Sequence, residues 1–203
     1  MPRIPGVPTK QASPLSRLLY RVTRRRYGAV PEPATVFAHQ PRLLVAWGVH
    51  ESLVERATRV LPSSVAELAV YRAAVRLNCS WCIDFGTMLQ KHAGLDIDRL
   101  RHIDDYADSS LFTRQERLAI AYADAMTETP VSVTDEQVLE LEREFGRAGV
   151  VELTYLVGLE NARGRVNSAL GLTDQGFTSG DACRVPVPSD VDTADTDVTA
   201  EPA

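Results

Sequence analysis

Cysteine is scarce in this sequence, with three in 203 residues, which excludes a four-thiolate zinc site within one chain. Long apolar runs are missing too. No stretch approaches the roughly 18 apolar residues that cross a bilayer, so no membrane span is expected. Residues 1–11 carry three prolines and no apolar h-region, so a secretory signal is not expected either. Sustained apolar–polar alternation between turn signals is also lacking, which removes the strand signature. These absences describe a soluble, cytoplasmic, all-α protein. Thiols in that compartment are kept reduced, so a cysteine pair there points to catalysis or metal binding rather than to a structural staple.

Acid is absent from residues 1–30, which hold seven Lys or Arg. Leu15, Leu18, Leu19 and Val22 lie among Arg17, Arg21, Arg24, Arg25 and Arg26, the pattern of a short amphipathic helix. Such a helix can touch nucleic acid or an anionic membrane. Charge runs are more often simply solvated, and the arm is expected to pack on its own protein or a neighbouring subunit, with no nucleic-acid partner. Residues 174–203 reverse the balance, with seven Asp or Glu against Arg184 and few large apolar groups. That composition is expected to be disordered. The chain thus divides into a basic arm (1–30), a helical domain (31–173) and an acidic tail (174–203).

Helix signals fill the middle of the chain. Pro41 starts a segment that ends near Arg59. Ser64-Val-Ala-Glu67, just after Pro62, has the form of a capping box for a helix running to about Leu77. Asn78 to Cys82 forms the turn into the next helix, which Gly94 should end. A short helix is expected from Asp96 to Tyr106. Thr113-Arg-Gln-Glu116 and Thr134-Asp-Glu-Gln137 open two more helices, and a last one runs from about Val150 to Leu170. The chain is long enough for one compact domain with a core.

The chemistry concentrates in Cys79-Ser-Trp-Cys82, with Glu67 twelve residues upstream. Thiols three residues apart share one side of a helical turn and can close a disulfide if the first turn adapts. At a helix start, free N–H groups and the positive end of the dipole favour a thiolate. A thiolate attacks a peroxide's terminal oxygen and becomes a sulfenic acid, which a partner thiol converts to a disulfide. Two thiols at this spacing supply both groups, although a CxxC also occurs in half-zinc sites and by accident.

The run from Glu67 to Gly86, followed by Gly94-Leu95, resembles the carboxymuconolactone decarboxylase superfamily, and more closely its AhpD-like alkylhydroperoxidase branch. The resemblance continues through Thr113–Ala125, Thr134-Asp-Glu and Val151–Leu172, and covers roughly residues 35 to 172. It implies an all-α AhpD-like helical bundle that assembles as a homo-oligomer, usually a trimer or hexamer. It also implies Cys82 as peroxidatic cysteine, Cys79 as resolving cysteine and Glu67 as proton acceptor through a relay. The implied enzyme needs no cofactor or metal. Its substrate is a hydroperoxide, and an external dithiol, carried in the best-characterised type by a lipoyl protein, reduces it again. Two positions depart from that type. Gly86 stands where a histidine follows the second cysteine by four residues, and Trp81 where a histidine can lie between the cysteines. Gly164-Arg165 replaces an Asn-Arg pair near the end of the last helix.

The expected function is a thiol-dependent peroxidase acting on hydrogen peroxide or organic hydroperoxides. The alternatives are a dithiol–disulfide exchange protein and a non-enzymatic redox sensor or scaffold. Other residues take structural readings. Asp84 points away from Cys82 toward solvent or a subunit contact, and Trp81 packs on the core or shields the site. Tyr71, Tyr122 and Tyr155 belong to the core. His92 is nearly three turns from Cys82, too far to serve it within one subunit. His102 has no sequence link to the site, and Cys183 is an incidental tail thiol.

Overall fold

A computed structural model describes residues 2–178. It contains α1 (Pro14–Tyr27), α2 (Glu32–Phe37), α3 (Pro41–Ala57), α4 (Ser63–Arg76), α5 (Ser80–His92), a 3-10 helix (Asp98–Asp105), α6 (Arg114–Thr127) and α7 (Asp135–Leu170). No strand occurs among the described residues, and no helix among them is long and apolar enough to cross a membrane. The all-α expectation is met. The short helix expected over Asp96–Tyr106 is present as the tighter 3-10 helix Asp98–Asp105.

Local chemistry explains most of the boundaries. Thr113 and Glu116 form a reciprocal capping box at the start of α6, and Thr134 and Gln137 do the same for α7. Gly146, at φ 68°, breaks the helical geometry within α7, and Gly171, at φ 65°, ends it in the left-handed region. The capping box expected at Ser64–Glu67 does not form. Helix α4 begins at Ser63 behind Pro62, with no side-chain cap. Glu67 is therefore the fifth helical residue, the N-cap Pro62 has no N–H for it to accept, and Ser64 instead bonds the side chain of Glu116.

Helix α4 is the central element, packed against α5, α6 and α7. Ala69 and Ala73 on α4 meet Ala119 and Ala123 on α6 in one fully buried cluster with Leu153 and Val157 of α7. Small side chains at i and i+4 spacing let the helix axes approach closely. A second cluster joins Leu68 and Tyr71 to Cys79, Cys82, Ile83, Leu100, Ile103 and Ile120. The dithiol is thus part of the core. Arg72 ties α4 to α6 and the 3-10 helix by pairing with Asp124 (2.5 Å) and Asp104 (2.6 Å). Burial and the charge of Asp124 push the nearby Tyr106 phenol up to about 12.

Residues 2–30 lie on their own chain. The Arg3 guanidinium donates to the carbonyls of Ser168 and Ala169 at the end of α7, and the Tyr20 hydroxyl donates to the Val7 carbonyl. The inner face of α1 is Ser16 and Tyr20, whereas Leu15, Leu18 and Val22 remain exposed. Residues 174–178, part of the tail expected to be disordered, instead pack on the body, and positions 179–203, with Cys183, lie outside the described residues.

Candidate active site

A left-handed residue begins the site. Asn78, at φ 53°, turns the chain out of α4, a conformation that asparagine tolerates better than most residues. Cys79 then becomes the N-cap of α5, and its Sγ accepts the Cys82 N–H at 3.3 Å. Cys82 is the third residue of the helix. The two cysteines are joined as a disulfide with Cα atoms 5.2 Å apart, as their spacing allows. Both are buried, at 2% and 7% exposure.

One residue that sequence reasoning missed touches both sulfurs. The Asn167 side-chain amide, from the last turn of α7, donates to Cys82 Sγ at 3.5 Å and to Cys79 Sγ at 3.9 Å. Asn167 is 3% exposed. A glycine one turn earlier permits the approach. A Cβ on Gly164 would sit 2.7 Å from Leu77 Cδ1 and 3.3 Å from Leu77 Cβ, so α7 can reach the α4–α5 turn only without a side chain there. The sequence signal was available as Glu160, Gly164 and Asn167 at i, i+4 and i+7, one stripe of α7.

Glu67 lies on α4, and the charges that act on it are those of Arg163 and Glu55. It has no hydrogen bond to either sulfur among the described residues. Burial raises its carboxyl above the usual range, the Arg163 charge opposes this, and Glu55 adds to the rise. Arg163 is clamped by Glu51, with Nε to Oε1 at 3.1 Å and a second contact through its terminal nitrogen. It also reaches Glu160 at 3.2 Å. Glu160 is 5% exposed, and burial pushes its carboxyl up to about 7. The structure therefore brings Cys79, Cys82 and Asn167 into contact and gathers Glu67, Glu160 and Arg163 as a neighbouring charge cluster.

Gly86 leaves room at the position facing Tyr71. A Cβ there would lie 3.5 Å from the Tyr71 ring, so that ring occupies the side of α5 on which a side chain at 86 would stand. Trp81 stacks on Phe85, with ring centroids 4.7 Å apart, and donates its indole N–H to Gln175 at 3.3 Å.

Asp84 is a correction. It is 2% exposed and faces neither solvent nor a free surface. Its carboxyl accepts the N–H groups of Gln175 (2.9 Å), Phe177 (3.0 Å) and Thr178 (3.0 Å), and the Thr178 hydroxyl at 2.8 Å. It holds residues 174–178 against α5 as a strap. Tyr155 is a second correction: it is 48% exposed and its hydroxyl bonds His50 at 2.7 Å. Tyr71 and Tyr122 are buried as expected. His92 and His102 are exposed. Among the described residues no group of three His, Cys, Asp or Glu is arranged to hold a metal.

No protein-family model matches the chain. The uncharacterized protein YnjA of Escherichia coli K12 is 32% identical over 163 residues, covering 80% of this chain and 87% of YnjA. Among solved structures, the debrominase Bmp8 superposes with a TM-score of 0.75 at 17% identity, over 86% of this chain and 93% of its own. The AhpD-core, peroxidase-related protein of Ralstonia eutropha JMP134 gives 0.70 at 16% identity, over 87% and 94%. With a curated relative matched over most of both lengths and a shared helical architecture, the chain belongs to the family of YnjA and has an AhpD-like fold.

Proposed function

We propose that the protein is a thiol-dependent peroxidase working through Cys82 and Cys79. The observation that carries this reading is the Cys79–Cys82 disulfide at the N-terminus of α5, where backbone N–H groups and the helix dipole favour a thiolate once the pair is reduced. The Cys82 thiolate attacks the terminal oxygen of a hydroperoxide. The O–O bond breaks, an alcohol or water leaves with one proton, and Cys82 becomes a sulfenic acid. The Cys79 thiol then displaces water and closes the disulfide. Two electrons pass from the thiols to the peroxide, and an external dithiol returns two electrons and two protons. Glu67, from α4, takes up the Cys82 proton through water, with its carboxyl already raised toward the range useful for general base work. The cytoplasm, a lipoyl-bearing reductant and a homo-oligomer of trimer or hexamer type belong to the same proposal.

Dithiol–disulfide exchange is the second reading, favoured by one observation: the backbone N–H at the helix start is aimed at Cys79, not Cys82. Peroxide consumption separates the two. One equivalent of peroxide should remove two thiols from the reduced protein, Cys82→Ser should abolish consumption, and Glu67→Gln should slow it on the order of 100-fold. Disulfide exchange without peroxide consumption above the buffer rate would sink the peroxidase reading.

A further inference from the structure

Two hydrogen-bond donors meet the two sulfurs, and they favour different cysteines. The Cys82 N–H points at Cys79 Sγ, 3.3 Å away. That arrangement alone makes Cys79, at the N-cap, the better-stabilised thiolate. The Asn167 amide opposes it, lying closer to Cys82 than to Cys79. Among the described residues its nitrogen meets only these two sulfurs and no oxygen. A buried amide facing disulfide sulfur is poorly satisfied, because neutral sulfur is a weak acceptor. A thiolate satisfies it far better, since hydrogen bonds to charged groups are the strong ones. The donor is therefore matched to the reduced form of the site.

We propose that Asn167 is a catalytic residue of the dithiol site that holds the negative charge on Cys82 and so decides which cysteine is the nucleophile. The proposal rests on the dithiol reading above and names the donor that acts where no histidine follows the second cysteine. Gly164 belongs to the same device, because its missing side chain lets α7 close on Leu77 and deliver Asn167 to the sulfurs. The charged groups nearest this stripe are Glu160 and Arg163 on α7, Glu51 on α3 and Glu67 on α4. None of the four hydrogen-bonds either sulfur among the described residues, whereas the Asn167 side chain bonds both.

The test is single-turnover alkylation of the fully reduced chain with substoichiometric iodoacetamide, in which the reacting thiolate displaces iodide. Mass spectrometry of the peptides then gives the ratio of label on Cys82 to label on Cys79, across a pH series. In the unsubstituted protein Cys82 should take most of the label. Asn167→Leu should lower the Cys82-to-Cys79 ratio at least about tenfold, the loss of one hydrogen bond to a charged sulfur. It should also move the Cys82 profile to higher pH. Asn167→Ala removes the donor without adding a charge and tests the same point if the leucine variant does not fold. A purely structural Asn167 would leave ratio and profile unchanged in both folded variants, and that result overturns the proposal. Alkylation needs no peroxide, so loss of the peroxidase reading would show as absent peroxide consumption with the Asn167 effect intact.

Discussion

Glu160 and Arg163, one turn apart on α7, are hydrogen-bonded at 3.2 Å, yet the carboxyl behaves as a buried acid rather than a paired one. Arg163 explains this. Its guanidinium is committed to Glu51 through two contacts, and the charges of Glu51 and Glu67 both oppose ionisation of Glu160. One cation shared among three carboxylates does not compensate a fully buried one.

A pH dependence of stability follows from that pairing. The folded-state value of Glu160 is about 7 against an ordinary 4.5, so the native state keeps a proton that the unfolded chain has released. Its stabilising contribution is complete below about 4.5, declines as pH rises, and is gone above about 7. The size is on the order of 3 kcal/mol. Urea unfolding across that window should show the decline in the natural sequence and a flatter curve in Glu160→Gln, where Arg163 keeps Glu51 as partner. Equal slopes would mean that Glu160 titrates alike in both states.

The strap gives a second expectation. Asp84→Ala leaves three backbone N–H groups and one hydroxyl without their acceptor. At about 1–3 kcal/mol for a buried unmet group, with partial relief by water, the loss should be at least about 2 kcal/mol in chemical denaturation. Amide exchange should quicken at Gln175, Phe177 and Thr178 while the middle of α5 stays protected. Uniform exchange across both segments would show that the strap does not open separately from the helix.

Two glycines should respond in opposite directions. At Gly86 a methyl meets only ordinary contact with Tyr71 at 3.5 Å, so Gly86→Ala should gain about 0.5–1 kcal/mol from helix propensity alone. At Gly164 the methyl would collide with Leu77 at 2.7 Å. Gly164→Ala should lose about 1–3 kcal/mol and weaken the reach of Asn167 to the sulfurs. Denaturation midpoints of the two variants decide this, and a stabilised Gly164→Ala would falsify the close-approach argument.

What the sequence revealed of the site follows the range of each interaction. Cys79 and Cys82 were legible because a helix start and a three-residue spacing are local properties. Glu67 was found by its distance from the cysteines, but its local reading failed. A two-residue shift in where α4 begins carried it from the third helical position to the fifth, and a four-letter capping pattern does not register that shift. Asp84 was read as turned to solvent or a subunit contact, but its partners lie more than ninety residues downstream in the same chain, where helix geometry carries no information. Asn167 is missed for the same reason. The fold itself was more legible, since capping boxes at Thr113 and Thr134 and the glycine at 94 mark helix ends whatever they pack against.

Gln175 extends these relationships to the ends of the chain. Its side-chain oxygen accepts from the Trp81 indole and from the Glu32 backbone, and its amide donates to the Val30 carbonyl. One side chain thereby couples the segment after α7 to the entrance of α2 and to Trp81, one of the two residues between the cysteines. The periphery and the dithiol are mechanically continuous in this protein. Trimming the sequence back to its helical middle removes an acceptor from the tryptophan beside the reactive pair, so a shortened chain is a chemically different site and not a smaller copy of the same one.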